Sequence, residues 1–254
     1  MRVNRHSSLE AALADLLDEP PRPLADRIFA EWTRARSRFG PVDVAFNRHG
    51  VMFVRTAESE QDDAEFREAF RQVFEQPLRR AEREPTGMLT ALRRNRTRSI
   101  QVDLRHLPDF DQEVLRATRL IPAGQTRPSA WVAREVGRPE RAPAVDVVLA
   151  RNPVPVVVPC HRVTRGESGE HVFGARAQER MLRSEEVNLD EVRELAESGV
   201  HYLGSDTTNI VCFPTCHNAR RISAAHRRGF GTVEAAEKAG YRPCRHCRPV
   251  EMAS

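Results

Sequence analysis

The chain of 254 residues has 30% charged and 40% hydrophobic side chains, the profile of a globular protein long enough for more than one domain. No apolar run approaches the roughly 20 residues of a membrane-spanning helix. Met1 to Pro20, polar and acidic from Glu10 onward, lacks the apolar core of a signal peptide, so a cytoplasmic protein with no membrane partner is expected. The net charge of +4 lies entirely at the end: residues 201–254 hold eight Lys/Arg against four Asp/Glu, and the rest balances. Such a bias fits a polyanionic partner, and equally a solvated basic face.

In chain order, Ser8 to Leu17 and Leu24 to Arg36 have helical apolar spacing, separated by Glu19-Pro20-Pro21-Arg22-Pro23. Val42 to Phe46 alternates as a strand, Asn47-Arg48-His49-Gly50 supplies a turn, and Val51 to Val54 returns as a second strand. Asp62 to Phe74 resumes helical spacing, and Ser99 to Leu104 predicts another strand. Pro108 to Leu120 is a helix stopped by Ile121-Pro122-Ala123-Gly124. Ser129 to Val136 and Ala144 to Arg151 are two short helices around Gly137-Arg138-Pro139, a helix-turn-helix-like unit. Gln178 to Glu186 is a terminal helix, and the charged stretch Asp190 to Ser198 reads as a linker. This order predicts an α/β (α+β) protein in four segments. They are an N-terminal helical segment (1–40), a small sheet-containing region (41–107), a helical catalytic domain (108–190) and a C-terminal module (200–254).

The five cysteines divide into Cys160 alone and a cluster of Cys212, Cys216, Cys244 and Cys247. A chain of this length without a secretory signal is a poor candidate for a disulfide scaffold, so reduced thiols and metal binding are the better reading. Asn152-Pro153-Val154-Pro155-Val156-Val157-Val158-Pro159-Cys160-His161-Arg162-Val163 puts one thiol beside an imidazole after an apolar, strand-like run. It describes a partly buried cysteine at a strand end, next to a base able to take its proton. A lone cysteine is more often a small core residue; the surrounding segments decide between the two.

Those segments resemble the O6-alkylguanine-DNA alkyltransferases, the methylated-DNA–protein-cysteine methyltransferases. Ile121 to Gly124, Gly137-Arg138-Pro139, Asn152-Pro153 and Pro159-Cys160-His161-Arg162-Val163 fall at the family's spacing, and Gly174 and Glu185 follow a shortened loop. The likeness covers roughly residues 41–187. It implies that Cys160 accepts a methyl group, that His161 removes its proton through a water, that Glu185 orients the imidazole and that Asn152 holds the turn. It also implies a single-turnover reaction on a base flipped out of alkylated DNA. The family has tyrosine where this chain has Ser129, and an arginine that fills the flipped base's gap where it has Pro143; its Gly-rich Tyr segment near Phe173 is also shortened here. Arg138 or Arg141 are candidates to supply the missing cation, and with Ser129, Arg162, Arg220 and Arg221 they make up the expected DNA contacts.

Cys212-x3-Cys216, a 27-residue gap, then Cys244-x2-Cys247 is a strong signal for one tetrahedral Zn2+ held by four sulfurs. So small a module, with few large apolar side chains, needs such a staple to fold. Asp206 to Cys216 and Gly240 to Pro249 resemble the metal-binding domain of the Ada adaptive-response protein. The likeness implies that Cys212 is both ligand and acceptor of a methyl from a DNA phosphotriester; bare ligation is the simpler alternative. Phe213 stands where that family has Arg, Asn209 where it has Gly, and the order of the two domains is reversed. The leading expectation is a monomeric DNA-repair methyltransferase that methylates itself. A non-catalytic sensor of alkylated DNA, or a methylation-responsive transcriptional regulator on the same scaffold, is the alternative. A preference for single-stranded DNA would make the absent arginine dispensable.

Overall fold

The computed structural model describes residues 28–57, 63–164 and 174–250. The helix expected over Ser8 to Leu17 and the segment around Phe173 lie outside them. Among the described residues no helix is long and apolar enough to cross a membrane.

The first body is a four-stranded sheet in the order β3-β2-β1-β4, built from β1 (Ala30–Ser37), β2 (Gly40–Asn47), β3 (Gly50–Thr56) and β4 (Leu78–Arg80). β1, β2 and β3 are antiparallel neighbours, and β4 joins β1 in parallel. Strand alternation sorts the side chains. Trp32, Ala45 and Phe53 share one face with Phe66 and Phe70 of helix α1 (Asp63–Arg71), whereas Val42, Val44 and Phe46 join the core of the remaining body. Asp43 is buried and takes a bidentate pair of bonds, at 2.8 and 2.9 Å, from Arg34 across the β1–β2 ladder.

Two expectations fail here. The helix expected over Leu24 to Arg36 is not formed in its described part: Glu31 to Ser37 pairs residue by residue with β2, and burial of Ala30 and Trp32 on the sheet outweighs the helical spacing. The sheet thus begins ahead of residue 41. Ser99 to Leu104 is not a strand either. Thr97–Ser99 is a 3-10 turn, and only Val102 bridges Val51 before Asp103 turns the chain by accepting from the Arg105 N–H at 3.2 Å.

A short helix α2 (Met88–Arg93), which the sequence reading missed, leads through a left-handed Asn95 to the helical body. There α3 (Asp109–Thr118) supports α4 (Ser129–Glu135) and α5 (Ala142–Ala150), the expected helix-turn-helix-like unit. Gly137 closes α4 at φ 72°, with Arg138 N–H bonded to Ala133 O at 2.9 Å, a left-handed C-terminal cap that suits glycine. Helix α6 (Gly174–Ser184) follows the thiol segment. The supposed linker is helix α7 (Leu189–Glu197), whose N-cap Asn188 accepts from Glu191 N–H at 3.2 Å while its amide reaches the Glu191 carboxylate. Asn188-x-x-Glu191 was a readable capping signal.

The C-terminal module is a second four-stranded sheet, order β10-β8-β7-β9, from β7 (Tyr202–Ser205), β8 (Ile210–Cys212), β9 (Arg227–Phe230) and β10 (Arg242–Pro243), with helix α8 (Val233–Lys238). Its core is continuous with that of the helical body. The β7–β8 turn places Asn209 at φ 50°. Asparagine is among the few side chains that tolerate this region, which accounts for its standing at a glycine position.

Candidate active site and metal centre

Pro153, Pro155 and Pro159 each lack an N–H, so the apolar run before the cysteine cannot build a ladder. Instead of a strand it is a tight loop with one bridge, Pro155 to Val158, and Cys160–Arg162 is a 3-10 turn. Asn152 staples the loop: its amide donates to Val158 O at 3.2 Å and its Oδ1 accepts from Val154 N–H at 3.0 Å. Within it Val156 has φ 73°, an outlier for a buried β-branched residue that the surrounding loop must enforce. Cys160 emerges 4% exposed, its N–H held by Val158 O at 2.8 Å.

The next two residues converge on the end of α6. His161 Nε2 lies 3.0 Å from Glu185 Oε1, and Arg162 grips the same carboxylate through Nη2 at 2.7 Å and Nε at 3.0 Å. Asn95 adds a bond to Oε1 at 2.7 Å, and Gly124 N–H one to Oε2 at 3.0 Å. Burial by itself would raise the Glu185 pKa; the bonds and charges of His161 and Arg162 overcome it and hold the carboxyl well below the usual range. Burial pushes His161 below its ordinary value in spite of Glu185, so the imidazole is neutral at pH 7. With Nε2–H donating to Glu185, Nδ1 carries the lone pair; it is buried and has no hydrogen-bond partner among the described residues. A ring so oriented is a proton acceptor waiting for a water or a thiol.

Gly124 is required where it stands. Its φ is 74°, and an added Cβ would lie 2.8 Å from Glu185 O. Three participants had no local signal in the sequence. Asn95 is one; Phe39 packs edge-on to His161 at 5.2 Å between ring centroids; Gln178 donates to His161 O at 3.0 Å.

The expected DNA contacts separate. Arg162 is buried, its guanidinium committed to Glu185, Asn95 and Ile121 O, so it positions the carboxylate and offers nothing to a surface ligand. Ser129 is also buried, 3.4 Å from Asp146. Arg138 and Arg141 are exposed at the start of α5, with Arg141 over the Phe110 ring at 4.0 Å. α5 itself exposes Pro143 and Val147 and has no basic residue. Arg220 and Arg221 are exposed on the C-terminal module.

The four cysteines meet. Cys212 ends β8, Cys216 follows in a turn, Cys244 and Cys247 follow β10, and their sulfurs all lie within 4.8 Å of one another. Sulfurs at about 2.3 Å from a tetrahedral ion stand somewhat under 4 Å apart, so the donor set fits a soft divalent metal. Cys212 also borders a pocket of about 460 Å³ lined by Ser205, Thr207, Thr208, Arg221 and Ser223.

The fold therefore sets a buried cysteine, its neighbouring imidazole and a carboxylate beside a helix-turn-helix-like unit, and joins them to a cluster of four cysteines. Residues 109–187 match the family model for the 6-O-methylguanine DNA methyltransferase DNA-binding domain, and residues 191–250 the model for the metal-binding domain of Ada. Residues 109–187 thus carry a domain of the 6-O-methylguanine DNA methyltransferase DNA-binding type, and residues 191–250 an Ada-type metal-binding domain. The methylated-DNA–protein-cysteine methyltransferase of Mycolicibacterium paratuberculosis is 44% identical over 71 residues, 28% of this chain and 42% of that one. That of Methanosarcina barkeri is 36% identical over 83 residues, 32% of this chain and 52% of its own. The chain thus spans about half the length, or less, of the curated relatives it matches. Among solved structures, a Mycobacterium tuberculosis O6-methylguanine methyltransferase aligns with a TM-score of 0.44 at 24% identity, covering 62% of this chain and 93% of that one.

Proposed function

We propose that the protein repairs DNA by moving the methyl group of O6-methylguanine onto Cys160. The observation that carries this reading is the His161–Glu185 pair beside the thiol, with Nδ1 of a neutral imidazole left as the acceptor. The thiol proton passes through water to His161. The thiolate sulfur then bonds to the methyl carbon as the C–O6 bond breaks, its electron pair leaves with guanine, and guanine takes up one proton in exchange. The thioether does not turn over, so each molecule acts once. Asn152 and Arg162 position these groups without touching the reacting atoms.

Residues 108–190 carry this chemistry, 41–107 with β1 and the β1–β2 turn buttress it through Asn95 and Phe39, and 200–254 form the zinc module. Zn2+ is the metal that four thiolates favour, and Cys212, Cys216, Cys244 and Cys247 would hold it; when bound, it keeps its sulfurs ionised. The pocket beside Cys212 supports this sulfur as a second acceptor, for methylphosphotriesters, with Arg221 near the phosphate. Arg138 and Arg141 supply cations to duplex DNA in place of an arginine at Pro143, Arg220 and Arg221 extend that basic surface, and Ser129 supports it from behind. The groups of the relay all come from one chain, which supports a monomer, and the protein acts on DNA in the cytoplasm.

The test is peptide mass spectrometry after incubation with DNA carrying O6-methylguanine or methylphosphotriesters, with Cys160→Ala and Cys212→Ala as controls. One added methyl on the Cys160 peptide is expected with the first substrate, and one on Cys212 with the second. DNA binding without any methyl transfer overturns the repair reading in favour of a sensor.

A further inference from the structure

Arg127 occupies the seam between the helical body and the C-terminal module. It is 2% exposed, yet among the described residues no carboxylate pairs with it. Nη1 donates to Thr126 O and Nη2 to Gln125 Oε1, each at 2.6 Å, and the buried Nε has no hydrogen-bond partner among the described residues. Both acceptors are neutral. A guanidinium cannot shed its proton, so a buried one needs a counter-charge.

Its surroundings point to one. The guanidinium carbon lies 5.2 Å from the centroid of Phe213, the residue after Cys212, and 5.8 Å from that of Trp131. Trp131 Nε1–H in turn donates to Cys247 O at 2.9 Å, and Thr126 N–H to Thr215 Oγ1, next to Cys216, at 2.9 Å. Four thiolates around a divalent ion leave about two net negative charges facing this seam. On the other side Arg127 begins β5 (Arg127–Pro128), whose parallel partner β6 (Val163–Thr164) follows the Cys160–Arg162 turn directly.

We propose that Arg127 and the metal–thiolate centre form a charge pair across the domain seam, through which metal binding holds the β5–β6 platform beneath Cys160. This rests on the reading of the four cysteines as a metal centre. Arg127 is a positioning residue, bound to neither ligand nor substrate. Withdrawing negative charge from the centre, by removing the metal so that the released sulfurs take up protons or by alkylating a ligand sulfur, loosens β5 and with it the thiol turn. The linkage is reciprocal, so loss of the cation weakens the metal site.

The test uses the full zinc-loaded chain. Zinc affinity is measured by competition with a chromophoric chelator, and amide hydrogen exchange is followed in peptides covering 121–133 and 155–164. Arg127→Met is expected to lower zinc affinity about ten-fold, with Arg127→Lys between it and wild type. Chelation of the wild type is expected to speed exchange in both peptides; in Arg127→Met that exchange is already fast and indifferent to zinc. Wild-type zinc affinity in Arg127→Met, or peptide 155–164 unmoved by chelation, overturns the proposal. Should Arg127→Met fail to fold, the wild-type chelation experiment decides alone. A wild-type chain that takes up no zinc sinks the metal reading itself, and this inference with it, before any variant is compared.

Discussion

Replacing Glu185 by Gln keeps the shape of the side chain and removes its charge. Oε1 faces His161 Nε2, Asn95 Nδ2 and Arg162 Nη2 at 3.0, 2.7 and 2.7 Å, while Oε2 faces Gly124 N and Arg162 Nε, both at 3.0 Å. Every neighbour is a donor. Either orientation of the glutamine amide therefore sets its NH2 against at least two further donors, and Arg162 is left as a buried cation without its anion. Breaking such a pair costs about 3–5 kcal/mol, a large part of the roughly 5–15 kcal/mol by which a domain is stable. Urea unfolding should show the midpoint falling accordingly, and methyl transfer to Cys160 should slow by two orders of magnitude or more, about what a misoriented base costs. Adding Arg162→Met removes the stranded cation. The double variant should regain much of the stability but none of the rate, because His161 still lacks its orienting carboxylate. A Glu185→Gln protein within about 0.5 kcal/mol of wild type, or a double variant that recovers both properties together, would refute this account.

Acid should weaken the fold in two stages. His161 is neutral when folded, with a lowered pKa, so the unfolded chain binds the extra proton and stability begins to fall below pH ~6.5. Glu185 is held ionised, so its contribution, full above pH ~4.3, is lost as pH falls further. A stability–pH curve flat from 7 down to 5 would contradict the first stage. Asn152→Ala strips the buried Val154 N–H of its partner and leaves Val158 O with Cys160 N–H alone, and should cost about 1–3 kcal/mol in chemical unfolding; a loss under about 0.5 kcal/mol would mean the loop holds without it. Gly124→Ala should cost at least about 1–3 kcal/mol from its backbone angle, and more from the Glu185 carbonyl it meets, while slowing transfer; an unchanged melting profile would show that the turn yields.

The sequence by itself determined the chemistry-bearing residues whose spacing is local. Pro159-Cys160-His161-Arg162 and the paired cysteines identify themselves because a thiol beside an imidazole, or two thiols in one turn, is a short-range pattern. The helices α3, α4 and α5 were legible for the same reason, their apolar faces repeating within one element. Asn188-x-x-Glu191 was equally local and went unread. Tertiary structure decided what depends on partners distant in the chain. β1 is a strand because β2 lies beside it. Arg162 is a buried anchor and not a surface cation because Glu185 arrives from the end of α6. Asn95 and Phe39 join the site, and Arg127 the metal centre, only because separate bodies share one core. The charge of a buried group is settled by what surrounds it in three dimensions, and a one-dimensional pattern holds no record of that.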